Sequence, residues 1–216
     1  MSAIDQLIAG YRRFRSGYYE ENRERLVDLA HEGQSPGVAV IACCDSRVDP
    51  AIITDSTPGS LFVIRNVANL VPPCEGEGLW HSTSAALEFA VCSLEVEHII
   101  VLGHARCGGI RSLLEVQGDG HDDMFIADWM SIVDTARKQT LDRTDLNTLD
   151  ERIYACELEA IKISLTNLET FPWIQERIEK NRLQLHGWYY DMASGDLLCL
   201  DATGKNFIAP DQAEAC

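Results

Sequence analysis

Cysteine, acidic and basic residues crowd together directly after an apolar run in the sequence IACCDSRVDP, residues 41–50. Cys43 and Cys44 are followed by Asp45 and Arg47. A packed core does not need this combination, and a plain turn has no use for two adjacent thiols. The stretch therefore predicts a chemical site, with a thiol as a candidate metal ligand or nucleophile.

A second reactive group follows another apolar run, in the sequence GHARCGG of residues 103–109. It contains His104 and, one turn later, Cys107. Two thiolates and one imidazole suit Zn²⁺, with the fourth coordination position left for water or a nearby carboxylate. Cys43, His104 and Cys107 are therefore candidate zinc ligands, provided that the fold brings them together.

The hydrophobic pattern predicts elements that could bring them together. Apolar runs without alternation predict strands buried on both faces, as in a parallel sheet, at residues 37–43, 60–66 and 98–104. Helical spacing covers residues 1–30, with a break near Gly17, and recurs at residues 82–94, 124–138 and 149–168. The segment 183–201 predicts two further strands around a Ser-Gly turn.

Strands that alternate with helices indicate an α/β fold, with a mainly parallel central β-sheet flanked by helices. Open sheets of this kind bind ligands at the carboxyl ends of their strands. Two predicted strands end at Cys43 and His104, so we expect both side chains, with Cys107, at one edge of the sheet. The 216 residues suffice for one globular domain and are short for two, so we predict a single domain over residues 1–216.

Composition narrows the classes of partner. The chain has 18 Lys+Arg against 34 Asp+Glu, a formal net charge of −16, which would repel a nucleic-acid backbone. No apolar run reaches the roughly 18 residues of a membrane span, and the N-terminus lacks the order of a secretion signal. We predict a cytoplasmic protein without membrane or nucleic-acid partners. The eight cysteines are scattered, which favours metal ligation by some and packing of the others as small buried residues.

The paired motifs resemble those of the β-class carbonic anhydrases, whose pattern is Cys-x-Asp-x-Arg followed by His-x-x-Cys. The similarity runs from Gln34 to beyond Leu114 and includes PGSLFVIRNVANLVPP, and the later LHGWYYD matches in style. The resemblance implies zinc-dependent reversible hydration of carbon dioxide to bicarbonate and a proton, by way of zinc-bound hydroxide. It implies one zinc ion on the three candidate ligands, with Asp45 and Arg47 as the catalytic dyad. Cys44 falls on the variable position of the motif and is expected to pack.

The resemblance also points to the plant-type branch of that family. Plant-type members have a glutamine nine residues before the first cysteine ligand, which is Gln34 in this chain. The other branch has a tryptophan three residues before that ligand, in an inhibitory bicarbonate site, where this chain has Val40. Tyr190 is interpreted as a remnant of that pocket. The implied substrate-binding residues are Gln34, Phe62, Val67, Phe89 and Gly108, with Phe89 replacing a plant-type tyrosine.

Facing subunits contribute to each site in the family, so the resemblance implies a homodimer or a higher multiple of dimers, with the N-terminal helices at the interface. Three alternatives stay open. The same zinc site could hydrolyse carbonyl sulfide or carbon disulfide. Cys43 or Cys44 with His104 could form a nucleophilic site, or the zinc could be purely structural. His121, beside two aspartates, is interpreted as part of a solvated acidic loop rather than a proton shuttle.

Overall fold

The chain divides into two compact units, Met1–Ser35 and Pro36–Cys216, in this computed structural model. The structure describes residues 1–74, 81–115 and 125–212. His121, the candidate proton shuttle, lies outside the described residues. The single domain over residues 1–216 stays a prediction.

The N-terminal unit consists of three helices, α1 (Ala3–Ser16), α2 (Tyr18–Glu21) and α3 (Arg23–Glu32). Ser2 caps α1, because its hydroxyl accepts the Asp5 N–H at 3.1 Å. The predicted break at Gly17 is confirmed, since its backbone leaves the helical region with φ −114° and ψ −96°. None of the residues in these three helices is buried within the chain.

The larger unit is built on a six-stranded sheet in the order β2-β1-β3-β4-β5-β6. Its strands are β1 (Val38–Cys43), β2 (Leu61–Asn66), β3 (His98–His104), β4 (Gln184–Tyr190), β5 (Leu197–Leu200) and β6 (Phe207–Ile208). Strands β2, β1, β3 and β4 run parallel, while β5 and β6 join antiparallel. This confirms the predicted mainly parallel α/β sheet flanked by helices.

Position in the sheet decides how well the strand pattern predicted burial. Central strands β1 and β3 are buried along almost their whole length, as predicted. Strand β2 has the same apolar pattern but lies at the edge, and its Val63 is 40% exposed. The two-stranded C-terminal prediction is confirmed for β4 and β5, and the short β6 was missed.

The helices of this unit are α4 (Pro50–Ile53), α5 (Ser82–Glu88), α6 (Gly108–Glu115), α7 (Ile126–Met130), α8 (Asp134–Asp142), α9 (Leu149–Leu168) and α10 (Pro172–Glu179). Helix α9 matches its prediction. Helix α5 gives way to one π-helical turn, Phe89–Ser93. The predicted helix 124–138 is interrupted by a 3₁₀ turn at Ser131–Val133, where the Ser131 hydroxyl bonds the Asp128 carbonyl.

Helix α9 packs against one face of the sheet, where Ile161 and Leu168 join Ile41 and Ile99 in the main hydrophobic cluster. The helix comes so close to β3 that a Cβ on Gly103 would lie 2.6 Å from Ile161 Cδ1. Glycine next to His104 therefore allows α9 to reach the strand end. Within the described segments, no helix is long and apolar enough to cross a membrane.

Candidate metal centre

The three predicted ligands converge at the carboxyl ends of β1 and β3. The Sγ atoms of Cys43 and Cys107 and a ring nitrogen of His104 all lie within 4.8 Å of one another. Cys43 is the last residue of β1 and His104 the last of β3. Cys107 turns back toward them through Arg106, whose left-handed backbone has φ 57°. All three side chains are buried, with exposed fractions of 5% or less.

The His104 ring fits a metal ion. Its Nδ1 lies 3.0 Å from the Ala105 carbonyl oxygen, which can only accept, so Nδ1 carries a proton and Nε2 is the nitrogen available to a metal. Its Nε2 is buried and has no hydrogen-bond partner among the described residues. A buried nitrogen lone pair left unsatisfied is costly. A metal ion held with the two thiolates would satisfy it, with His104 Nε2 as the ligand.

The electrostatics of the two thiols favour a shared cation. A hydrogen bond with Cys107 lowers the pKa of Cys43 well below the ordinary value of a thiol. The same contact raises the pKa of Cys107, because a second negative charge beside the first is unfavourable. The Ala68 N–H, 3.4 Å from Cys43 Sγ, adds a donor to the first thiolate. A divalent cation would stabilise both thiolates together.

Asp45 and Arg47 form a forked ion pair directly after β1. Arg47 Nε lies 2.9 Å from Asp45 Oδ1, and Nη2 lies 2.7 Å from Oδ2. The Arg47 backbone N–H also donates to Oδ1, at 2.9 Å. These bonds to Arg47 hold the pKa of Asp45 well below its usual range, so the carboxylate stays charged. No carboxylate oxygen of the described residues belongs to the three-ligand cluster.

Arg65 was missed as a residue that shapes this site. From β2 its guanidinium donates to the carbonyl oxygens of Cys43, at 2.9 Å, and Asp45, at 2.8 Å. It also reaches the Val48 carbonyl at 2.5 Å. One side chain thus fixes the loop that carries the first ligand and the dyad. The signal was present, because Arg65 is the one charge in the apolar run LFVIRN.

Glu157 was also missed, although it is the nearest buried acid to the centre. Its exposed fraction is 4%, and its Oε1 accepts the Cys107 N–H at 2.7 Å. Its Oε2 accepts the Tyr189 hydroxyl at 2.9 Å. Burial raises the pKa of Glu157 to about 7. An acid on the buried face of α9, four residues from both Ile153 and Ile161, was the available signal.

The predicted substrate-binding residues fall into separate groups. Val67 packs against the cluster that contains Cys43 and Cys107, and Gly108 directly follows Cys107. Phe62 and Phe89 contact each other, with ring centroids 5.9 Å apart. In the β1–β2 register Phe62 pairs with Ala39, roughly 13 Å back from the strand end. This pair therefore lies away from the centre of its own chain.

The structure also describes the surroundings of the remaining positions named from the sequence. Gln34 belongs to the N-terminal unit. Val40 is buried, and Tyr190 packs against the cluster that contains it. Cys44 was predicted to pack, which is wrong, because its side chain is exposed at the start of the loop after β1. Cys74 and Cys92 are likewise exposed rather than packed.

Comparison with known proteins agrees with this geometry. Residues 38–197 match the family model described as carbonic anhydrase. A carbonic anhydrase of Synechocystis sp. is 37% identical over 211 residues, which cover 96% of this chain and 74% of the relative. The chloroplastic beta carbonic anhydrase 5 of Arabidopsis thaliana is 38% identical over 188 residues, 87% of this chain and 62% of that protein.

Solved structures show the same fold. The β-carbonic anhydrase CcaA superposes with a TM-score of 0.91 at 36% identity, covering all 100% of this chain and 95% of that one. One of two tetrameric β-carbonic anhydrases from Sordaria macrospora gives a TM-score of 0.81 at 28% identity, over 91% of this chain and 96% of its own. The chain belongs to the carbonic anhydrase family, in its β class.

Proposed function

We propose that this protein catalyses the reversible hydration of carbon dioxide to bicarbonate and a proton, with one zinc ion held by Cys43, His104 and Cys107. The observation that carries the proposal is the buried Cys-His-Cys cluster with its unsatisfied His104 Nε2. Three protein ligands leave one coordination position open, as in catalytic rather than structural zinc sites. When bound there, zinc would supply a nucleophile by acidifying a water molecule.

Asp45 orients the attacking water in this proposal. Its Oδ1 already accepts two hydrogen bonds from Arg47, whereas Oδ2 accepts one from the described residues. A carboxylate oxygen has two lone pairs, so Oδ2 can accept a further hydrogen bond from the reacting water. Arg47 keeps Asp45 charged and prevents it from turning toward the ligands. Such a fixed acceptor lowers the entropy cost of reaching the transition state.

Apolar side chains suit an uncharged substrate. Val67 and Gly108 lie beside the ligands and would form one wall for carbon dioxide. Phe62 and Phe89 would complete the wall for a second subunit, since they lie away from the centre of their own chain. The Gln34 amide N–H would stabilise the negative charge that develops on a substrate oxygen. Gln34 and Val40 together support membership of the plant-type branch.

Stopped-flow measurement of carbon dioxide hydration, combined with elemental analysis, tests the proposal. Protein with one zinc per chain should hydrate carbon dioxide, and activity should fall with zinc content when a chelator removes the metal. Zinc-loaded protein that leaves hydration at the buffer rate would refute it. Carbonyl sulfide and carbon disulfide are assayed with the same samples, and faster turnover of either would favour the alternative function.

The protein is also proposed to assemble as a homodimer or a multiple of dimers. Helix α1 exposes Ile4, Leu7 and Tyr11 at helical spacing, with Leu7 69% exposed. Such an apolar stripe is unusual on a lone helix facing water. Light scattering after size exclusion should give at least twice the chain mass, and Leu7→Glu should lower it. A monomeric wild-type protein would contradict the assembly.

A further inference from the structure

Glu157 is a buried acid without a basic partner among the described residues. Its exposed fraction is 4%, and it forms no ion pair with a described Lys or Arg. It lies on the face of α9 that otherwise carries Ile153, Ala160 and Ile161. A buried, unpaired carboxylate is costly unless hydrogen bonds and a nearby positive charge compensate it. The residue therefore needs an explanation beyond packing.

Its two oxygens link the β-sheet to a candidate ligand. Oε1 accepts the backbone N–H of Cys107 at 2.7 Å, and Oε2 accepts the Tyr189 hydroxyl at 2.9 Å. Tyr189 is itself 2% exposed, and its ring is fixed edge-on against Tyr154, with centroids 5.4 Å apart. A continuous buried path thus runs from β4 through Glu157 to the backbone of Cys107.

Satisfying one backbone N–H does not require a charge. A serine, a glutamine or an ordered water could accept from Cys107 without the desolvation penalty of a carboxylate. The position of Glu157 matters more, because it lines the same narrow gap between side chains as His104 and Cys107. A cation held by those two residues would be the positive charge that compensates the carboxylate. Groups that orient metal ligands in this way affect metal affinity strongly.

We propose that Glu157 and Tyr189 form a buried brace that positions Cys107 for the metal ion and slows metal release. Glu157 is a positioning residue in this inference, since it acts through Cys107 and touches no substrate. The inference rests on the proposed metal centre. It adds that retention of the metal depends on α9 and β4, which supply none of the three ligands.

Zinc release from the loaded protein to a colorimetric chelator tests the brace. Glu157→Met keeps the side-chain length and removes both acceptors, so release should be about 10–100-fold faster, the usual effect of losing such a partner. Glu157→Gln keeps one acceptor oxygen for Cys107 and should give a smaller acceleration. Tyr189→Phe removes a single hydroxyl and should act in the same direction. Glu159→Gln is the matched control, because Glu159 lies on the same helix but pairs with Lys162 at 2.9 Å.

A spectroscopic signature separates positioning from general destabilisation. In cobalt-loaded protein the thiolate-to-metal absorption bands should shift in Glu157→Met and Tyr189→Phe, and remain unchanged in Glu159→Gln. Wild-type release rates in both brace variants would overturn the inference, and so would faster release with unchanged bands. If Glu157→Met does not fold, Tyr189→Phe decides. Wild-type protein that binds no metal would refute the metal centre itself, whereas loaded protein without hydration activity would refute only the proposed reaction.

Discussion

The carboxyl ends of β1 and β3 both supply a candidate ligand, but their surroundings differ. At the β1 end, residues 43–48, the dyad is open to solvent, with side-chain exposures of 16% for Asp45 and 52% for Arg47. At the β3 end, residues 104–108, the supporting groups are interior, with Glu157 4% and Tyr189 2% exposed. The difference indicates a division of roles. In the proposed site the β1 end supplies one ligand and offers the dyad to a reacting molecule, whereas the β3 end supplies the other two ligands and their buried support.

Arg47 connects the two ends. While its fork binds Asp45, its Nη2 also donates to the Arg106 carbonyl oxygen at 3.0 Å. Arg106 is the residue whose left-handed backbone returns Cys107 toward His104. The dyad is therefore fixed relative to the ligands by a direct contact across the sheet edge, which keeps its carboxylate at a constant distance from the centre.

Removal of a metal ligand should have the largest effect on zinc content and hydration activity. The effect should be the same for Cys43 at the β1 end and for Cys107 at the β3 end. Cys43→Ala and Cys107→Ala should each lose essentially all zinc and all hydration activity, because each leaves only two protein ligands. Elemental analysis of purified protein gives the zinc content. Cys44→Ala is the matched control, since that thiol is exposed and adjacent, and it should keep both properties. Full zinc occupancy in either ligand variant would contradict the assignment.

The next largest effect should come from changing Asp45, and it should distinguish the role of the β1 end from that of the β3 end. Asp45→Asn is expected to keep the zinc, because Asp45 is not among the ligands, and to lose most hydration activity. Loss of a preorganised hydrogen-bond group typically costs about 2.7–4 kcal/mol in the transition state. Metal content and stopped-flow rates are measured on the same sample, with the exposed Asp142→Asn as control. A zinc-loaded Asp45→Asn protein with the wild-type rate would show that the dyad only supports structure.

Sequence patterns predicted the elements that are determined by residues close together in the chain. Strands β1 and β3 follow from apolar runs without alternation and helix α9 from a long helical periodicity, and the ligands follow from their placement at strand ends. The surroundings of the predicted helix 124–138 could not be predicted in this way, because they involve tertiary contacts as well as the local hydrogen bond of Ser131. Trp129 Nε1, for example, donates to the Val67 carbonyl at 2.8 Å, 62 positions away in the sequence.

The supporting residues of the site were missed for the same reason. Arg65 and Glu157 act through backbone groups that are distant in the chain, so their roles need the register of β1 with β2 and the packing of α9 on β3. Helix α10 was missed although its start is marked locally, since Pro172 occupies the first turn. Motif spacing identifies atoms that bind a metal, whereas the residues that hold those atoms in place emerge from the fold.

Arg65 is expected to support the loop after β1 rather than the reaction itself. Arg65→Met keeps the apolar stem and removes the side-chain hydrogen bonds to the carbonyl oxygens of Cys43, Asp45 and Val48, which should lower the free energy of unfolding by about 1–3 kcal/mol. Hydration activity should fall, by less than in Asp45→Asn, with the zinc retained. Urea denaturation and the hydration assay measure both effects. Arg143→Met, which removes an exposed ion pair with Asp145, is the control and should change neither. Complete loss of zinc in Arg65→Met would mean that Arg65 is also needed to position Cys43 for the metal.

The smallest expected effect comes from a pair of histidines toward the amino ends of β3 and β4, away from the candidate ligands. Near the start of β3, His98 Nδ1 lies 3.1 Å from Nε2 of His186 on β4. Burial lowers the pKa of His186, with a further contribution from His98. A histidine whose folded pKa lies below its unfolded value of about 6.5 makes the unfolded chain bind more protons, so stability falls as pH drops through about 6.5 and levels off below the folded pKa. His186→Gln should reduce this loss of stability between about pH 7.5 and 5.5, measured as the shift in the urea midpoint.

Zinc content and hydration rate should be unchanged in His186→Gln, because the histidine pair lies toward the amino ends of β3 and β4, whereas the candidate ligands lie at and after the carboxyl ends of β1 and β3. His31→Gln, an exposed histidine of α3, should keep the wild-type pH dependence. A midpoint shift in His186→Gln equal to the wild-type shift would remove the histidine pair as its source, and a loss of zinc would show that the two ends of the sheet are coupled.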